Sequence, residues 1–154
     1  MLAAIVLTVV SCDRGLAPPE PSKFSTLSGR VHFAGVMPPC DSVKALAVVL
    51  SQHGAPFSVA DIINGFNKTI FAVSLAPCSF QDTSFVFTLA PATYRYLGVA
   101  QLYGDSINHD WRIVGFAHTP DDSAIVYNMT PGKADDTTVL TVRFDTLIRQ
   151  PFIQ

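Results

Sequence analysis

The chain has 154 residues and a formal net charge of −2, so it holds one domain and lacks the basic surplus that a nucleic-acid binder needs. Hydrophobic residues make up 49% and charged ones only 14%, which excludes disorder over most of its length. Glu20 is the sole glutamate, lysine occurs four times, and Val, Ile and Thr together number 37 beside 11 Phe. That mixture lacks the Glu and Lys that fill exposed helix faces and is rich in residues that suit a pleated surface, so it points away from bundles and coiled coils and towards strands.

Met1 to Val10 reads MLAAIVLTVV, an apolar run about half as long as the roughly 20 residues needed to span a bilayer. It matches the apolar core of a secretory signal peptide, although no Lys or Arg precedes it. Val9-Val10-Ser11-Cys12 follows. This segment resembles the lipobox of bacterial lipoproteins, in which the signal peptidase cuts before a cysteine whose thiol carries the lipid. The resemblance implies a signal peptide over 1–11 and lipidation of Cys12, with acyl chains holding the protein at the membrane. Residues 12–26 include Pro18, Pro19 and Pro21 and read as an extended linker that cannot build a core. The alternative is that Met1–Val10 forms a buried strand and Cys12 is an ordinary thiol.

From residue 27 the sequence alternates. Leu27–Ala34 sets Val31 and Phe33 against Arg30 and His32, and Gly35 with Pro38-Pro39 ends the run. Val43–Ser51 is apolar on both faces apart from Lys44, as in a central strand, with a short helix as the alternative because Ala and Leu are present. Ser58–Phe66 is ambiguous between strand and helical turn. Further strands are expected over Lys68–Ala76, Ser84–Leu89, Thr93–Tyr103, Trp111–His118 and Ala124–Asn128. The last is expected over Thr137–Leu147, with Leu140, Val142 and Phe144 inward. Seven to eight strands at this spacing predict an all-β domain, a single antiparallel β-sandwich over 27–148, followed by a short tail at 149–154. A closed barrel is the second choice.

Two stretches carry a wider resemblance. Ser28-Gly29-Arg30-Val31-His32-Phe33, followed by Pro38-Pro39 and the Val43–Leu50 strand, is similar to the opening of carboxypeptidase-regulatory-like and transthyretin-like sandwich domains. Leu89-Ala90-Pro91-Ala92-Thr93-Tyr94 resembles their Leu-x-Pro-Gly-x-Tyr turn, with Ala92 where glycine is usual; that substitution tells against a positive φ there. Val99-Ala100-Gln101, Trp111–Gly115 and Thr130-Pro131-Gly132 are similar to secreted lipoproteins of this fold. The resemblance implies a non-catalytic binding or assembly module at the bacterial cell envelope, without a cofactor. Transthyretin-like hydrolases of 5-hydroxyisourate end in Tyr-Arg-Gly-Ser, which this chain lacks.

The candidate sites follow from this frame. If Cys12 carries lipid, export leaves Cys40 and Cys78 in an oxidising compartment, and a Cys40–Cys78 disulfide is expected; the alternative is two free thiols. Tyr103, Asn108, His109, Asp110 and Trp111 form a candidate ligand surface between two strands, with the aromatic rings as a platform for a sugar or peptide. The competing reading places Trp111 in the core. The four histidines show no metal-binding spacing, so no metal site is expected. No Gly-x-Ser-x-Gly elbow or phosphate-binding loop occurs either, and no catalytic residue is assigned. Asp121-Asp122 and Asp135-Asp136 are read as solvated turn residues rather than calcium ligands. The expected partners are the membrane, through the lipid, and an envelope protein or glycan. A carbohydrate-binding module is the first alternative function and a hydrolase the second.

Overall fold

Inward-facing apolar residues at every second position decide most of the architecture. The computed structural model describes residues 23–54, 57–58, 70–107, 110–145 and 152–153. The expected signal peptide, Cys12 and most of the linker lie outside these residues, as do Asn108, His109 and most of Ser58–Phe66. The strands are β1 (Ser25–Ala34), β2 (Ala45–Ser51), β3 (Phe57–Ser58), β4 (Ile70–Leu75), β5 (Thr83–Leu89), β6 (Ala92–Tyr94), β7 (Tyr96–Leu102), β8 (Trp111–Phe116), β9 (Tyr127–Met129), β10 (Ala134–Arg143) and β11 (Phe152–Ile153). A 3₁₀ turn at Cys40–Ser42 precedes β2. Among the described residues, no helix is long and apolar enough to cross a membrane.

The long strands form two sheets, β5-β1-β10 and β4-β2-β7-β8, and β6 with β9 and β3 with β11 form two small pairs. Leu27, Val31 and Phe33 of β1, Phe85, Phe87 and Leu89 of β5, and Leu140 and Val142 of β10 belong to one buried cluster. The same cluster contains Leu46, Val48 and Leu50 of β2, Leu75 of β4, Leu97 and Val99 of β7, and Val114 of β8. One core is therefore shared by both sheets, which makes the domain a β-sandwich. Each fully buried side chain of this kind contributes about 1.5–3 kcal/mol over its exposed state.

Several boundaries and pairings differ from the sequence reading. The sheets are mainly antiparallel, but β1 and β10 pair in parallel, with Val31 opposite Leu140 and Phe33 opposite Val142. Period-two alternation gives the inward face of a strand and is silent on its direction. β1 begins at Ser25, inside the expected linker, and Ser25 is buried with its Oγ donating to the Leu89 carbonyl at 3.2 Å. The expected strand Thr93–Tyr103 is two strands, broken at Arg95, whose N–H donates to the Ser51 carbonyl at 2.9 Å. Asp135 and Asp136 lie in β10 rather than in a turn. Their stretch is where β10 carries an extra residue: Leu27 faces Asp135, yet Gly29 already faces Thr138. A Cβ at Gly29 would run into the Thr138 carbonyl and the Phe85 ring, so only glycine fits beside that irregularity.

Tyr94 ends the turn that carries the family resemblance. It is fully buried, and its hydroxyl donates to the Ala90 carbonyl at 3.0 Å, a tyrosine corner that fixes the turn to its own strand. Ala92 is extended in β6; Asp122 is the non-glycine with positive φ among the described residues. The turn therefore closes without glycine.

Candidate functional site

The register places three connections at one end of the sandwich. Leu46 faces Leu75, Ala45 faces Leu102, and Leu102 faces Trp111, so β2 starts where β4 and β7 end and β8 begins. The segments 35–44, 76–82 and 103–107 with Asp110 thus lie together. Cys40 and Cys78 form a disulfide with their Cα atoms 5.3 Å apart, joining the first two of these connections. Below it Phe33, Phe80 and Phe144 meet, with ring centroids 5.5–6.4 Å apart. His32 Nδ1 donates to both carboxylate oxygens of Asp82, at 2.9 and 3.0 Å, and this bond holds the Asp82 carboxyl below its ordinary value. No hydroxyl or thiol is hydrogen-bonded to His32 among the described residues, which leaves the pair without the nucleophile a hydrolytic triad needs.

The third connection holds the expected ligand surface. Tyr103 is 43% exposed. Its N–H donates to the Asp110 carbonyl at 3.0 Å, while Asp110 Oδ2 accepts from the Ser106 N–H at 2.8 Å, so Asp110 shapes the loop from within. Trp111 is half-buried. Its Nε1–H is spent on the Ile107 carbonyl at 2.9 Å, and its ring packs against a second apolar cluster of Val49, Tyr96, Ala100 and Ile113. Trp111 is therefore a wall of the fold on one side and a cap on its own loop on the other. Tyr103, Asp110 and Trp111 lie at the same end of the domain, Tyr103 partly exposed and Trp111 half-buried.

The sequence reading did not single out the residues beside this loop. Gln101 is fully buried on β7, opposite Arg112 on β8. Its Oε1 accepts from Arg112 Nε at 2.7 Å and its Nε2 donates to the Ser42 carbonyl at 3.0 Å. The Arg112 guanidinium lies over the Tyr103 ring, 5.8 Å from its centroid. One signal existed: a glutamine in an otherwise apolar strand needs a partner, because a buried amide without one is costly.

A second concave region lies along the flank. A groove of about 290 Å³ runs between Phe116, His118 and Tyr127 on one wall and Asp135, Thr138 and Val139 of β10 on the other. β8 and β10 are edge strands of their sheets. They pack closely where Gly115 meets the Thr141 carbonyl, which leaves no room for a Cβ. Val126 and Val139 are 47% and 60% exposed beside the opening. The polar groups here satisfy one another. Thr138 Oγ1 donates to Tyr127 Oη at 3.1 Å, Lys133 Nζ to the Asn128 carbonyl at 2.9 Å, and Thr119 and Ser123 hydroxyls to Asp121. The hydroxyl of Thr119 is the main cause of the low pKa of Asp121. His118 and Asp122 lie 3.5 Å apart across the same turn. Among the described residues, no three His, Cys, Asp or Glu side chains converge to hold a metal ion.

Comparison with protein-family models, with curated proteins and with solved structures finds no match for this chain.

Proposed function

We propose that this chain is an exported lipoprotein, anchored through Cys12, whose transthyretin-like or carboxypeptidase-regulatory-like sandwich serves as a non-catalytic binding or assembly module at the bacterial cell envelope. The observation that carries the reading is the Cys40–Cys78 bridge. Disulfides persist in oxidising compartments, so the bridge favours export. It also accounts for two of the three cysteines and leaves Cys12, beside the lipobox-like Val9-Val10-Ser11, as the remaining thiol. The tyrosine corner at Tyr94 lies in the turn that resembles theirs and supports the reading. A fold of this kind hosts many roles, so the non-catalytic reading rests on the resemblance of its turn and strand motifs to binding and assembly modules.

The test is expression of the full chain in a bacterial host, phase partition in a clouding detergent, and mass analysis of the N-terminal peptide. The wild type enters the detergent phase with a diacylglyceryl group on Cys12, and Cys12→Ala enters the aqueous phase. If both proteins stay in the aqueous phase, the anchor is wrong. If both enter the detergent phase, attachment does not depend on Cys12.

A further inference from the structure

We propose that Arg112 is the anchor of a carboxylate-binding site at the loop end of the sandwich, held ready by Gln101 and Tyr103. The proposal deepens the binding-module reading and takes its biological meaning from it, but does not depend on the lipid anchor.

The arginines differ in what balances them. Arg30 and Arg95 are exposed and solvated, and Arg143 pairs with Asp145 at 3.6 Å. Arg112 is half-buried, and no carboxylate pairs with it among the described residues. A partly desolvated cation without a counter-ion is unfavourable, and here the fold adds structure that keeps it in place. A fully buried amide takes its Nε–H, and an aromatic face supports the guanidinium plane.

That arrangement also selects the ligand. With Nε–H spent on Gln101, the end of the fork formed by Nη1 and Nη2 remains, and no hydrogen bond to a described residue uses it. Two parallel N–H donors match the two oxygens of a carboxylate. The neighbouring cation, Lys44, lies 3.8 Å from Asp105 and is already balanced. Asp110 in the same loop accepts from the Ser106 N–H and keeps its negative charge, so the surroundings hold no surplus of positive charge and suit a planar monoanion better than a dianion. Tyr103, partly exposed beside the guanidinium, adds a phenol and a ring edge at the same place. The ligand is thus a carboxylate, such as a chain terminus or an acidic side chain of a partner.

The full chain in zwitterionic micelles, labelled with ¹⁵N, is titrated with sodium acetate, and separately with sodium phosphate and sodium chloride at equal ionic strength. Acetate is expected to move the Arg112 Nε–H and Gln101 amide signals saturably, with a midpoint in the millimolar range, and chloride is not. Arg112→Lys keeps the charge and loses the fork, so the affinity falls by about tenfold or more, the loss of one charge-assisted hydrogen bond. Gln101→Glu neutralises the guanidinium from its Nε side and weakens the response, while Arg30→Lys leaves it unchanged. The proposal is overturned if acetate does no more than chloride, if the response survives Arg112→Lys undiminished, or if phosphate binds more tightly than acetate. None of these outcomes alters the detergent partition of the wild type, so this site and the anchor stand or fall separately.

Discussion

The loop end and the flank groove solve the same problem, closing a sandwich, by opposite means. At the loop end a covalent bond ties 35–44 to 76–82, and three phenylalanines fill the space below. On the flank the two edge strands pack closely at Gly115, and the groove beside them is lined by residues that hydrogen-bond to one another. The groove is a hollow in which Thr138, Tyr127 and Lys133 are hydrogen-bonded to other residues of the chain. At the loop end the Arg112 fork has no partner among the described residues. A hollow and unspent hydrogen-bonding capacity are different properties, and recognition of a polar ligand depends on the second.

The difference can be tested by breaking each device. Cys40→Ser with Cys78→Ser should cost the most, about 4 kcal/mol in the chain-entropy model for cysteines 38 residues apart, read as a fall in the denaturation midpoint under oxidising conditions. Treating the wild type with a reductant should reproduce the loss. A loss under about 1 kcal/mol would mean that the phenylalanine cluster closes this end unaided. Gly115→Ala comes next. Its Cβ would strike the Thr141 carbonyl and wedge β8 from β10, at a cost of about 1–3 kcal/mol. Gly54→Ala is the control, since nothing lies within 4 Å of a Cβ there. Equal effects at the two glycines would show that the seam between the sheets is not tight. Tyr94→Phe removes the corner bond behind β6, which pairs with the groove wall β9, and should cost about 1 kcal/mol in the same assay.

The sequence was legible where one property decides the outcome. Val31, Phe33, Phe85, Phe87, Leu140 and Val142 point inward because alternation leaves them one apolar face, and the sandwich follows from repeating that choice. The bridge was legible from the cysteine count together with the expectation of export. What stayed hidden depends on residues far apart in the chain. The parallel pairing of β1 with β10 leaves no trace in either strand, and Asp135-Asp136 read as a turn because a strand edge with an extra residue uses the same polar residues. Trp111 was placed correctly at a strand start, but its indole bond to Ile107 comes from a loop shape that composition does not encode. Gln101 and Arg112, 11 residues apart, face each other only because β7 and β8 pair in that register.

The smallest effect separates the two regions by pH. Asp82 and Asp121 both have carboxyls held below the ordinary aspartate value of 3.8, one at the loop end and one beside the groove. A lowered pKa in the folded state gives stability above the unfolded value that is lost as the pH falls through the folded one. Both ends should therefore weaken together below about pH 4. Their causes differ: His32 is a partner brought by β1 across 50 residues, whereas Thr119 and Ser123 are neighbours of Asp121 in its own turn. His32→Ala should raise the Asp82 midpoint towards the ordinary value and leave that of Asp121 in place, as followed by side-chain carboxyl NMR. An Asp82 midpoint that stays low without the imidazole would transfer the credit to the Phe33 N–H, which also donates to Asp82 at 3.4 Å. The fold would then order that carboxylate through backbone, as it orders Asp110, rather than through a partner side chain.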